Sequence, residues 1–476
     1  MGYAILGVLA LLVLVLVVRA LAFTPKRQPA SEASAIEFDK AAAITALQRL
    51  VQCKTISYND PDMEDSGEFE KLIAMLPELY PHVFDACTFQ ELADRGLLFC
   101  WPGKRSDAPS VMMAHYDVVP VDEDSWEKPP FAGILANGIL WGRGTLDTKV
   151  TFNGILSGAD YLISQGFVPE NDIYFAFSGG EEVNGMGAVR IVEYFKTHNI
   201  TPALVVDEGG AVVENVFPGV KAPCGLIGIA EKGMMNVSYT VRSGGGHASA
   251  PPTKTPVTTL AKICRRIIDH PFKMHVTKPA AELFDTLGRH APFGLKLVFA
   301  NLWLFRPVLD LICRLSGGEI NALVRTTTAF TMMQGSNARN VIPVQASLVS
   351  NMRLNPADSV ASAKAYLEKT AGDPSVEIEV LESFEPSPIS ETHCESYEKV
   401  AAAVAKTWPG CIVSPYLMVQ CSDARHYRDL SNHVYRFSAM DMTAAERKSI
   451  HGNNERIRVE AIARAVEFYI RLMQQC

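Results

Sequence analysis

An α/β protein carrying an inserted α+β unit is the fold that this 476-residue sequence predicts. Three observations carry it. From residue 36 to about 230, short apolar runs alternate with amphipathic stretches, the texture of a sheet with helices on both faces. Between residues 230 and 384 the order becomes strand-helix-strand-strand-helix-strand, the split βαβ pattern of a compact four-stranded unit. From Tyr397 to Cys476 the α/β texture returns, so the middle unit reads as an insertion.

Each element follows from its own pattern. Ala4–Val18 holds no polar side chain, and Gly2–Phe23 carries one charge, Arg19. A spanning helix needs about 20 mostly apolar residues, so residues 1–23 are expected to be a transmembrane anchor and the protein a single-pass membrane protein. A cleaved signal peptide competes, because Ala20-Leu21-Ala22 has the small-x-small look of a cleavage site. Against it stand an n-region without Lys or Arg and a long apolar stretch. Arg19, Lys26 and Arg27 all follow the span, which by the positive-inside rule favours a cytoplasmic chain bulk, though three charges leave the side open. Residues 24–35, rich in Pro, Ser and Ala, read as a tether.

The α/β segments follow. Phe38–Val51 is expected as a helix, Pro109–Ala114 as a buried strand and Phe152–Gln165 as a helix. Asp172–Phe177 and Ala203–Val206 read as strands flanking a helix at Val183–His198. In the insertion, Met234–Val241, Thr326–Met333, Gln345–Arg353 and Val376–Leu381 read as strands. Pro256–Ile268 and Ser359–Thr370 read as its helices.

Composition removes several classes. The chain has 44 Lys+Arg against 52 Asp+Glu, a net charge of −8, whereas a general nucleic-acid binder shows a basic surface, so no nucleic-acid partner is expected. Apolar residues make up 48%, enough for a large core. Ten cysteines are too dilute for a disulfide scaffold, and none forms a C-x-x-C pair, which removes thiolate zinc and thioredoxin-like sites. Any metal must be held by His and carboxylate.

Residues able to do chemistry gather at strand ends, where open α/β sheets bind ligands. His115 and Asp117 lie just past a buried strand. Alternate residues point the same way, so Asp117 can hydrogen-bond the far nitrogen of His115 and fix its tautomer. In Trp141–Lys149, Gly142 and Gly144 allow a tight or left-handed backbone that lets Asp147 reach inward. Glu181 and Glu182 are adjacent on a glycine-flexed turn, so one can bind metal while the other accepts a proton. Asp207 and Glu208 follow the next strand, and Ile450–Glu455 supplies a late His451. Each motif alone is also an ordinary loop, cap or acidic helix start. Together they give two histidines and three or four carboxylates, a donor set that suits zinc, or else manganese or cobalt. A carboxylate shared between ions would make a two-metal site.

The ordered set His115-x-Asp117, Gly142-Arg-Gly-x-x-Asp147-x-Lys149, Glu181-Glu182, Asp207-Glu-Gly-Gly and His451-Gly resembles metallopeptidase family 20, which includes aminoacylase, glutamate carboxypeptidase and succinyl-diaminopimelate desuccinylase. The resemblance runs from about Ile36 to the C-terminus. Asp423-Ala-Arg425 and His451–Glu455 are similar to late motifs of the branch of vacuolar carboxypeptidase S and the secreted N-fatty-acyl-amino-acid synthase/hydrolase. It implies a zinc-peptidase-like catalytic domain with a mixed sheet, built from residues 36–229 and 385–476. Residues 230–384 would be a lid and dimerisation domain.

The resemblance also implies two zinc ions, with manganese or cobalt as substitutes. His115 and Asp207 would hold one, Glu182 and His451 the other, with Asp147 bridging. Glu181 would be the general base and Asp117 the group that orients a ligand. Gly244-Gly-Gly-His247 resembles a lid motif whose His is offered to the neighbouring subunit's site to stabilise the oxyanion. Asn340-Val-Ile-Pro343 and Arg353 resemble substrate-holding and carboxylate-binding residues, and an Arg fork suits a carboxylate. Asp423 and Arg425 join the substrate-binding set by the same resemblance. Val150 departs from the pattern, since the family often has Gly after Lys149, and an insertion precedes Thr326. In it, Phe293–Cys313 is largely apolar but holds Lys296, Arg306 and Asp310, which argues against a second span. A helix covering the lid is preferred there over a lipid-chain pocket.

The expected function is a membrane-tethered di-zinc hydrolase of carboxypeptidase type, cleaving an amide next to a free carboxylate. An N-acyl-amino-acid amidohydrolase or synthase acting on lipidic substrates is the alternative. A non-catalytic dimeric binding protein is the remote one. The expected partners are a peptide or N-acyl amino acid, a second copy of the chain through the lid, and the membrane.

Overall fold

A computed structural model describes residues 1–217 and 219–476. Its larger body is built on an eight-stranded mixed sheet. The order is Thr88–Leu92, Gly96–Trp101, Asn171–Ser178, Arg105–His115, Leu204–Val213, Val434–Met442, Cys224–Glu231 and Ile412–Met418. Arg105–His115 pairs in parallel with both Asn171–Ser178 and Leu204–Val213, and it is buried from Pro109 to its end. A run of Val, Met and Ala, apolar on both faces, is what a central parallel strand requires.

Helices cover the sheet. Lys149–Ser164 is buried along most of its length and packs against Val459–Met473. Two boundaries differ from the sequence pattern, and both differences bear on function. The helix expected at Val183–His198 starts only at Gly187, because Glu181–Val183 closes as a 3-10 turn and Asn184 is left-handed at φ 54°. The strand expected at Ala203–Val206 continues to Val213, straight through Asp207 and Glu208.

The smaller sheet is antiparallel, in the order Thr327–Gln334, Gln345–Leu354, Gly233–Arg242, Val376–Phe384. Its helices, Pro256–Asp269 and Val360–Ala371, begin at Thr255 and Ser359 capping boxes. Leu260, Ile263 and Leu367 from these helices share a core with Val237, Tyr239 and Leu348 from the strands. The split βαβ expectation describes this unit.

The range 230–384 is not a single packed unit, however. Met274, Leu283, Leu309, Cys313 and Val324 belong to the core of the large body. The helix Lys278–Gly288 lies on the edge strand Ile412–Met418. The helix Leu302–Ser316, expected to cover the lid, instead buries Leu309 and Cys313 against the catalytic body. An apolar helix goes wherever matching apolar surface is left open, and here that surface is offered by the neighbouring helices Phe293–Phe299 and Gly318–Val324.

Gly2–Ala22 is one 21-residue helix and, among the described residues, the one long and apolar enough to cross a membrane. Residues 24–35 carry no regular structure but do not hang free. Gln28 accepts the backbone N–H of Val413 at 2.9 Å, and Arg471 donates to the Ser34 carbonyl at 3.0 Å.

Candidate active site

The carboxyl ends of the central strands meet at one cleft. His115 ends its strand almost fully buried. Its Nδ1 lies 3.0 Å from the Asp117 backbone carbonyl and 3.4 Å from that residue's carboxylate. A carbonyl can only accept, so Nδ1 carries the proton and Nε2 offers its lone pair to the cleft. The nearer partner is thus the backbone of Asp117, not the side chain that the spacing suggests. The Asp117 carboxylate accepts from the Ser57 hydroxyl at 2.6 Å and from the N–H groups of Glu181 and Glu182 at 3.2 Å each. It holds the turn that carries both glutamates.

Asp147 comes from the loop before its helix. Gly144 has φ +86°, and a Cβ there would sit 2.8 Å from Val118, so only glycine fits. Gly142 serves closeness alone, since a Cβ on it would lie 2.3 Å from Val51. Glu455 pins this loop. Fully buried, it accepts the N–H of Leu146 at 2.7 Å and those of Gly144 and Asp147 at 3.2 Å. The Arg143 guanidinium donates to it at 2.6 Å. Sequence reasoning valued this motif for its histidine and missed the role of Glu455. The available signal was a glutamate at the motif's end, where the motif runs into the last helix.

His451 enters from the opposite side with φ +58°, a backbone conformation few non-glycine residues hold. Its Nε2 is 3.1 Å from Asp147 Oδ2 and 3.1 Å from Glu182 Oε2. Nε2 of His115 is 3.1 Å from the other oxygen of Asp147. Asp147 therefore lies between the two rings, one oxygen toward each.

Glu208 stands where Asp207 is expected. Their strand runs on past the motif, so neighbouring side chains point to opposite faces. Glu208 faces the cleft, its Oε1 3.4 Å from His115 Nε2. Asp207 faces away and accepts the Ala424 N–H at 2.8 Å. The placement of Asp207 beside the His115 lone pair is corrected accordingly.

Donor atoms of His115, Asp147 and Glu182 all lie within 4.8 Å of one another, as do those of His115, Glu181 and Glu208. Burial pushes the Glu181 carboxyl well above its ordinary range and raises Glu182. Burial, with the Asp147 charge nearby, pushes Glu208 up to about 8, and burial with Asp423 pushes Asp207 to about 6. Burial also opposes the Asp147 anion, yet the two histidines hold it below the usual carboxylate range. His451 is pushed up to about 10 by its hydrogen bonds to Asp147 and Glu182. Carboxylates forced together out of water make a place that a divalent cation neutralises. The donors are nitrogen and oxygen with no thiolate, which fits zinc, manganese or cobalt.

The cleft encloses about 340 Å³. Its lining combines the carboxylates Asp147, Glu181, Glu182 and Glu208 with the apolar Leu146, Met418, Met440, Met442 and Ile450, and with Gln420, Ser438 and Arg447. Arg353, on a lid strand, donates to Cys421 Sγ at 3.0 Å, and Cys421 lines the cleft. Asp423 and Arg425 do not line it. Asp423 is buried and accepts from the Ser178 hydroxyl, and Arg425 lies behind Glu181, with Nη1 4.0 Å from Oε1. Asp423 thus caps the end of the Asn171–Ser178 strand, and Arg425 donates to Asn184 on the glutamate turn at 3.1 Å, so both are placed beneath the cleft and not on its lining, where substrate-binding residues are expected.

His247 and Asn340 meet on a two-stranded ribbon, Gly246–His247 against Val341–Ile342. The Ala248 N–H donates to the Asn340 carbonyl at 2.9 Å. Both residues are exposed, and neither lines the cleft of its own chain.

Several known proteins are similar to this chain. Residues 111–475 match the profile of peptidase family M20/M25/M40. The chain is 35% identical over 446 residues to the N-fatty-acyl-amino acid synthase/hydrolase PM20D1 of Xenopus tropicalis, covering 92% of this chain and 86% of that protein. It is 32% identical to the probable carboxypeptidase S-like 2 of Dictyostelium discoideum, covering 97% and 92%. The fold is similar to the metallo-carboxypeptidase Sso-CP2 of Sulfolobus solfataricus, with TM-score 0.66 and 16% identity, covering 92% of this chain and 99% of that one. Human carnosine dipeptidase 1 superposes with TM-score 0.64 and 14% identity, covering 92% and 96%.

Proposed function

Because the chain belongs to peptidase family M20/M25/M40, we propose that it is a two-metal amidohydrolase cleaving an amide bond next to a free carboxylate. The observation that carries this reading is Asp147 set between His115 and His451, one oxygen 3.1 Å from each ring. His115 and Glu208 would take one zinc, Glu182 and His451 the other, with Asp147 shared. Asp207 stays behind the site. Two bound ions would acidify a water and polarise the scissile carbonyl. Glu181, whose carboxyl burial has raised, takes the proton from the attacking water and passes it to the leaving nitrogen. Arg353, which donates to the cleft-lining Cys421, would bind the substrate carboxylate.

The apolar residues of the lining, three of them methionines, favour a substrate whose acyl side is aliphatic. Met side chains adapt to a flexible chain at little cost in packing. We therefore prefer an N-acyl amino acid over a peptide, both of which appear in the names of the relatives. Hydrolysis of a long-chain N-acyl amino acid and of an apolar dipeptide, each with chelator and with zinc restored, tests both levels. Chelator-proof activity would overturn the metals. A clear preference for the dipeptide would overturn the substrate order.

Exposure of His247 and Asn340 supports a second copy of the chain as their destination. Thr327–Gln334 is a sheet edge with Met332 and Met333 exposed, a surface suited to pairing with its twin. Built-in contacts support retention of Gly2–Ala22 as an anchor. Arg19 donates to the Ala300 carbonyl at 2.8 Å, Asn301 donates to the Leu16 carbonyl at 3.1 Å, and Phe23 is buried.

A further inference from the structure

The helix Leu302–Ser316 has two apolar faces. One buries Leu309 and Cys313 in the catalytic body. The other is open: Leu304, Val308, Leu311 and Leu315 are exposed at i, i+4, i+7 and i+11, flanked by exposed Trp303 and Ile312. Leu315 is 79% exposed and Trp303 59%, so none of the described residues covers this stripe. Asp310, the single acid of the helix, is turned from it and tied to Arg325 at 2.6 Å and Arg314 at 2.9 Å.

We propose that this face lies in the surface of the lipid bilayer beside the anchor, as a second and interfacial membrane contact. The proposal rests on reading Gly2–Ala22 as a retained anchor. The depth argument is geometric. Asn301, the residue that starts the helix, is bonded to the Leu16 carbonyl. Leu16 precedes the end of the anchor helix at Ala22 by six residues, about 9 Å at a rise of about 1.5 Å per residue. An interfacial helix buries its apolar face about 5–10 Å deep, so the start of Leu302–Ser316 stands at that depth whenever the anchor spans. The neighbouring helix Phe293–Phe299 packs on the anchor and leaves Phe293 exposed. Arg19 beside the helix start, Lys296 in the preceding helix and Arg306 in the same helix add positive charge of the kind that headgroup phosphates favour. Trp303 is the residue type that settles at a bilayer surface.

Trp303 also provides the probe. The full chain is reconstituted in phosphatidylcholine vesicles with a minority of phosphatidylglycerol, with and without bromine on the acyl chains. Comparison with Trp303→Phe isolates the emission of Trp303 from that of Trp101, Trp126, Trp141 and Trp408, which are buried or half-buried. Bromolipid should lower that component at least about twofold, and aqueous iodide should barely reach it. Free access of iodide without bromolipid quenching overturns the proposal. Shielding from both also overturns it, in favour of a second copy or another protein on this face. Intact mass separates the two readings. If residues 1–22 have been removed, the anchor reading has failed, and bromolipid quenching of the shortened chain mixed with the same vesicles still decides Trp303.

Discussion

Glu455 accepts the backbone N–H of Leu146 at 2.7 Å across 309 residues of sequence, and so joins the loop of Asp147 to the segment of His451. Two groups of the proposed metal site are thereby positioned by a third that does not line the cleft.

Glu455→Gln keeps the shape but trades two charge-assisted acceptors for one amide oxygen. A misplacement of about 1 Å can cost about a hundredfold in rate, so kcat should fall by at least about tenfold. KM should change little. Unchanged kcat would show that the loop is held without it.

Glu181→Gln should leave metal content intact and lower turnover by at least about a hundredfold, the scale of general-base loss. Metal loss by elemental analysis would mean that Glu181 is a ligand.

Glu208→Ala should lose metal, whereas Asp207→Asn should retain it because an amide oxygen can still accept from Ala424. The contrast is one of strand facing, since the two carboxylates differ by one residue. Equal metal loss in both variants would restore Asp207 as a ligand.

Mixing inactive His247→Ala with inactive Glu181→Gln under subunit exchange should restore activity, to at most about a quarter of wild type if the two sites are equivalent. A mixture that exchanges subunits yet stays dead would confine His247 to its own chain or to no catalytic role.

Lys232 is fully buried, donating to the carbonyls of Arg325 at 2.8 Å and Ala322 at 3.0 Å. Burial lowers its pKa from 10.5 to about 7, with the Arg353 charge adding to the effect. Between those values the unfolded chain holds a proton that the native chain has released, so stability rises with pH across that window and is flat below it. Its contribution is about 1.4 kcal/mol per pH unit, and Lys232→Met should remove that slope. Urea midpoints at several pH values measure it. Parallel profiles for the two proteins would show Lys232 charged in the native state.

Much of the site was legible in the sequence because its motifs are contiguous. His115, Asp147, the Glu181–Glu182 pair and His451 each sit beside the strand end or glycine turn that aims them, so local pattern sufficed to gather them. The two sheets and their order of elements were legible for the same reason, since period and turn residues are local signals. Which of Asp207 and Glu208 faces the cleft was not. That depends on where the strand stops, and neighbouring strands provide the hydrogen bonds that carry it on to Val213.

Other features belong to tertiary structure alone. Glu455 has meaning only beside the N–H groups of a loop three hundred residues earlier, and no local pattern encodes that distance. Composition marked Phe293–Cys313 as apolar and charged at once. Which surface each side meets depended on the neighbouring helices and on the N-terminal helix Gly2–Ala22. By itself, the sequence determined the donor types, their order and the strand ends that bear them, because those are properties of short segments. Tertiary structure decided facing, depth and partnership, because a side chain's direction and its burial are set by whatever else has folded against it.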